Sequence, residues 1–184
     1  MQTNEKDIKD FKKFFNSYSK GFSSIYTEDD QSRSIFNKLI DKWFRKAVYR
    51  RYEITLSETQ KDSINSVLDV GCGPGHHTIA FLHQGKEVTA LDVADEMVDL
   101  TKEKVAKFNS NASCKYIVSD YMTHSFDEQF DAICVMGFFD YVSDPVIVLK
   151  KLLSEARKEI YISIPNEKGL LGLQRRIRYW LKNC

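Results

Sequence analysis

The sequence predicts an α/β domain whose sheet is parallel and covered by helices on both faces. Two observations carry this. From residue 65 onward, short β-branched apolar runs alternate with helical patterns. The first of those runs, Val67-Leu68-Asp69-Val70, ends in a tight loop, Gly71-Cys72-Gly73-Pro74-Gly75, and a helical pattern through Thr78-Ile79-Ala80-Phe81-Leu82 follows. A strand that stops at a glycine turn and opens a helix is the corner where such sheets bind nucleotide-like ligands. At 184 residues the chain fits one domain with a sizeable core.

The elements follow in order. Ile8, Phe11, Phe14, Phe15, Tyr18 and Phe22 recur at helical spacing, with Gly21 as a stop. A second helical stripe is Ile35, Phe36, Leu39, Ile40, Trp43, Phe44, Ala47 and Val48, and a polar link over 56–63 leads into the core. Strands are expected at 66–70, 87–91, 114–118, 131–135 and 159–164, with a helix over 95–108. Asp144 caps a further helix and Pro145 suits its first position. Leu170, Leu173, Ile177, Trp180 and Leu181 form the stripe of a basic amphipathic helix. The expected organisation is a helical cap over 1–62, an α/β core over 63–168 and a basic tail helix over 169–184.

Composition narrows the function. The net charge is +1, which gives no electrostatic case for nucleic acid. The four cysteines form no C-x-x-C pair, which fits a reduced, cytoplasmic protein without disulfides, zinc or any other implied metal. The polar N-terminus lacks an apolar signal region, and no stretch approaches membrane-spanning length.

Asp69-x-Gly71-x-Gly73-x-Gly75 resembles motif I of the class I S-adenosylmethionine-dependent methyltransferases. The resemblance covers about residues 66–165, by the rule that ligands bind at strand ends. It implies a Rossmann-like sheet in the order 3-2-1-4-5, a helical lid, S-adenosylmethionine (SAM) as cofactor and methyl transfer to oxygen or nitrogen of a small-molecule acceptor. A narrower similarity, through Trp43-Phe44-Arg45-Lys46-Ala47-Val48-Tyr49 and the core, is to magnesium-protoporphyrin and ubiquinone O-methyltransferases. It is not extended to the substrate.

The glycines let backbone approach the methionyl part of SAM, and Asp69 offers a carboxylate near its ammonium, with Cys72 filling the loop. In the resembling family an acid at the place of Asp92 accepts the ribose hydroxyls, and Val93 and Met97 belong to the same wall. An acid at the place of Asp120 meets the adenine amino group, flanked by Ser119 and Tyr121, and Met136 and Gly137 line the sulfonium side. The similarity to lid helices brings Tyr18 and Tyr26 toward the cofactor. Asp140, Tyr141 and His76, in that order, are the candidates for the acceptor's base.

Plainer roles stand beside these. Asp92 also suits a helix cap, Asp120 a solvated loop, and Tyr141 packing beneath its loop. His77 is expected on the surface or packed, since adjacent helical histidines diverge and chelate one ion poorly. The tail stripe is expected to pack on the protein, a membrane surface being the alternative. Two rivals remain: a SAM-binding module without catalysis, and an NAD-binding protein, disfavoured because His76 would crowd a pyrophosphate. Two further strands of the family's sheet have no counterpart here, so strand five is expected at an edge. Either the sequence is a fragment of a longer product, the favoured expectation, or the tail helix or a second copy of the chain covers that edge.

Overall fold

The computed structural model describes residues 50–108 and 113–164. The sheet has five strands, β1 (Ser66–Val70), β2 (Glu87–Asp92), β3 (Cys114–Val118), β4 (Phe130–Val135) and β5 (Ala156–Ile162). Their spatial order is β3-β2-β1-β4-β5 and every pairing is parallel. The helices are α1, described over 50–59, α2 (His76–His83), α3 (Asp95–Phe108) and α4 (Pro145–Glu155). The lid tyrosines Tyr18 and Tyr26 and the tail stripe lie outside the described residues.

Strand alternation sorts the core into two layers. Leu68, Val70, Leu91, Ile133 and Val135 face α4, meeting Val148 and Leu152. Val67, Val88, Ala132 and Cys134 face the other way, meeting Phe81, Leu82 and Val105 of α2 and α3. Burial on both faces explains why β1, β2 and β4 are mainly apolar, with Asp69, Thr89, Asp92 and Asp131 as their buried polar members. Ties at the foot of the sheet fix α1. Thr59 Oγ1 donates to Gln84 Oε1 at 2.9 Å, and Gln84 Nε2 donates to the Leu56 carbonyl at 2.8 Å.

One boundary differs from expectation. β5 starts at Ala156 and ends at Ile162, three residues before and two before the expected limits. The charged pair Arg157-Lys158 lies ahead of the strand expected from the sequence. In the fold it is strand, because Arg157 and Lys158 both pair with buried Asp131 of β4, at 3.0 and 2.9 Å. The helix therefore passes into the strand with no loop, Ala156 already having extended backbone. Among the described residues, β5 pairs only with β4.

Candidate active site

The C-terminal ends of β1 to β4 converge on the glycine loop. Gly71, Gly73 and Gly75 have φ of +69°, +53° and +78°, backbone that favours glycine. The loop is pinned by Gly71 N–H and Cys72 N–H, which both donate to the Leu91 carbonyl, at 2.8 and 3.0 Å. From α3, Thr101 Oγ1 donates to the Gly73 carbonyl and Lys104 Nζ to that of Pro74, each at 2.9 Å. The glycines do different work. A Cβ on Gly75 would lie 2.7 Å from the Thr101 side chain, whereas one on Gly73 would meet nothing within 4 Å. Gly75 lets the helix close on the loop, and Gly73 keeps open space above it.

This contrast is testable. Gly73→Ala should cost about 1 kcal/mol in stability for its left-handed backbone. Gly75→Ala should cost about 1–2 kcal/mol more from overpacking. Thermal unfolding of the two variants checks the order, and equal losses would contradict it.

Asp69 is 2% exposed at the end of β1, and its Oδ2 accepts from Thr78 Oγ1 at 2.7 Å. Burial pushes its carboxyl up to about 7, against the Thr78 bond, and the charge of Asp92 adds to the rise. Asp92 ends β2, with Oδ2 accepting from Gly73 N–H and Oδ1 from Ala94 N–H, both at 2.9 Å. Burial raises this carboxyl also, although the N–H groups of Ala94, Gly73 and Val93 oppose it. Among the described residues no cation pairs with either carboxylate. Two buried carboxylates without a cation make an acidic corner.

The ends of β3 and β4 complete it. Ser119 N–H donates to the Asp92 carbonyl at 3.0 Å, which sets Asp120 beside the end of β2. Gly137 N–H donates to Ser163 Oγ at 2.7 Å, and the Phe138 ring lies 3.4 Å from where a Gly71 Cβ would stand. Asp140 and Tyr141 occupy a single 3-10 turn, Phe139–Tyr141, beyond Gly137, with Tyr141 half exposed.

Some expected residues direct their side chains elsewhere. Tyr121 is 1% exposed in the core, its hydroxyl donating to Glu155 Oε2 at 2.6 Å, so its ring does not line the corner. Met97 is buried at the start of α3 and Cys72 is buried within the loop. Val93 is half-buried beyond Asp92. His76, the first residue of α2, is half-buried, and its imidazole is pushed down to about 4 by burial, Lys104 and His77. His77 is packed, its ring edge-on to Tyr52 at 5.2 Å and tilted toward Phe81.

Thr78, Thr101 and Ser163 are constituents that the sequence reading missed. Thr101 had a visible signal, as the one polar member of the buried set Met97, Val98, Thr101 and Val105 on α3. Nothing comparable marks Ser163 before its partner is known.

The profile of the methyltransferase domain family matches residues 67–159. The chain belongs to the class I SAM-dependent methyltransferase family. Similar curated proteins include a probable cobalt-precorrin-6B C(15)-methyltransferase of Thermoplasma acidophilum, 27% identical over 66% of this chain and 61% of that protein. A ubiquinone biosynthesis O-methyltransferase of Xanthomonas campestris is 35% identical over 48% of this chain and 37% of that protein. The chain thus spans less than two thirds of either relative. Among solved structures, magnesium protoporphyrin IX methyltransferase from Synechocystis with bound SAM superposes with a TM-score of 0.68 at 16% identity. That match covers 85% of this chain and 75% of the other, and it bears on the fold alone. No described helix is long and apolar enough to cross a membrane.

Proposed function

We propose that the chain binds SAM at the corner of Asp69, the 71–75 loop and Asp92, and directs its methyl to oxygen or nitrogen of a small molecule held near Met136–Tyr141. The supporting observation is the pair of buried carboxylates that no cation among the described residues meets, set beside the open space over Gly73. That pair of acceptors fits a ligand carrying two positive charges and a ribose. When bound, SAM supplies an electrophilic methyl on a sulfonium, a leaving group that needs no acid.

The chain's own residues then have few tasks. Asp69 faces the ammonium. Asp92 retains a lone pair on each oxygen for the ribose hydroxyls, beyond the N–H bonds it already accepts. Asp120 spends Oδ1 on Met122 N–H at 2.9 Å, leaving Oδ2 for the adenine amino group. Positioning the acceptor and excluding water supply the rate. A hydroxyl acceptor must also lose a proton. Asp140, on the turn beyond Gly137, is the first candidate for that base, ahead of Tyr141 and His76.

Calorimetry with SAM and S-adenosylhomocysteine, paired with transfer from labelled SAM into small-molecule extracts, tests this reading. Asp69 must release its proton to meet an ammonium, so affinity should rise between about pH 5.5 and 8. Folded protein that fails to bind SAM would overturn the assignment. Binding without transfer to any acceptor would favour a cofactor-binding module.

A further inference from the structure

Residues 119–129 run from the end of β3 to the start of β4 without a helix. The turn that carries Asp120 is closed on that residue, with Met122 N–H donating to its carboxylate and His124 N–H to its carbonyl at 3.0 Å. It is anchored from α4. Tyr121 descends into the core and donates to Glu155. Lys151 Nζ donates to Glu155 Oε1 at 2.6 Å and to the His124 carbonyl at 2.7 Å, and lies 5.1 Å from the centroid of the Tyr121 ring. Phe138 stands edge-on to the same ring, at 6.1 Å, and reaches back to Gly71.

The Lys151 and Glu155 side chains are 18% and 12% exposed. A salt bridge so far from water adds little net stability over apolar packing, and its attested use is to fix one arrangement. Burial and the Glu155 charge also raise the Tyr121 phenol, which keeps it a donor at every working pH.

We propose that Glu155 and Lys151 are positioning residues for the adenine end of the cofactor. They hold Tyr121 and the His124 carbonyl, and through them aim the Asp120 carboxylate. This rests on the reading of Asp120 as the acceptor for the adenine amino group. It makes α4, a helix on the opposite side of the turn from the ligand, a determinant of base selectivity.

The test compares two ligands by calorimetry. S-adenosylhomocysteine offers Asp120 an amino donor, and S-inosylhomocysteine presents a carbonyl there instead. The preference for the first is measured in the unaltered chain and in Asp120→Ala, Tyr121→Phe, Glu155→Ala and Glu155→Gln, each with its melting temperature. Tyr121→Phe keeps the ring and loses one hydrogen bond, so the preference should fall about three- to tenfold. Glu155→Ala should lower it at least as far, and Glu155→Gln, which still accepts from Tyr121, should recover part. If Glu155→Ala does not fold, Tyr121→Phe carries the test. A preference lost in Asp120→Ala but unchanged in Tyr121→Phe overturns the proposal and leaves the network a structural tie. A preference unchanged in Asp120→Ala overturns the reading of Asp120, and the proposal with it.

Discussion

Asp131→Ala should destabilise the fold by about 2–3 kcal/mol, the range for losing hydrogen bonds to a charged group and leaving a buried N–H without its acceptor, since Arg157 and Lys158 remain in reach of water. The carboxylate is 3% exposed at the foot of β4. Its Oδ2 accepts from Asn65 N–H at 2.9 Å, and its Oδ1 meets Arg157 and Lys158. One side chain thereby ties β4 to the start of β1 and to the edge strand β5. Burial alone would raise its carboxyl. Lys158, Asn65 N–H, Arg157 and Ser66 N–H outweigh that and hold it well below the usual range. The sign of the linkage follows. The contribution is complete above the unfolded value of about 4 and is lost as pH falls through that value toward the folded one. Denaturant unfolding of Asp131→Asn should show a shallower loss of stability below about pH 4.5 than the unaltered chain. An identical acid limb in both proteins would show that the carboxylate does not carry this tie.

The same residue shows what a sequence hides. Strands β1, β2 and β4 were legible because burial on both faces writes a mainly apolar run, β3 followed from its β-branched end, and all four fell within one residue of expectation. β5 opens three residues early, with Ala156, Arg157 and Lys158, and the two adjacent cations have no local reason to be strand. The reason lies 26 residues earlier, in Asp131, and no window of sequence contains both. The candidate site divides in the same way. The corner was legible because left-handed turns demand glycine and because an acid at a strand end stands out against apolar neighbours. Tyr121 was not, since a residue next to Asp120 can face the ligand or the core. The presence of Glu155 beneath it decides, and that is a tertiary fact.

Asp92→Ala should lower the affinity for S-adenosylhomocysteine by about 1.5–3 kcal/mol, roughly 10- to 150-fold, if two hydroxyl bonds to a carboxylate are lost. Affinity alone would be ambiguous, because Asp92 also accepts from Gly73 N–H and so shapes the loop. Two measurements separate these roles. The first is stability. Burial raises the Asp92 carboxyl, so its ionisation opposes folding as pH rises above about 4. Removing the charge offsets the lost N–H bonds, and the melting temperature at pH 7 should change little. The second is a dideoxy analogue of S-adenosylhomocysteine that lacks both ribose hydroxyls. The unaltered chain should bind it more weakly than the parent ligand, and Asp92→Ala should bind the two about equally. If the variant instead weakens both ligands by the same factor, the carboxylate acts only through the glycine loop. The ribose would then have to be held by groups other than the one ending β2.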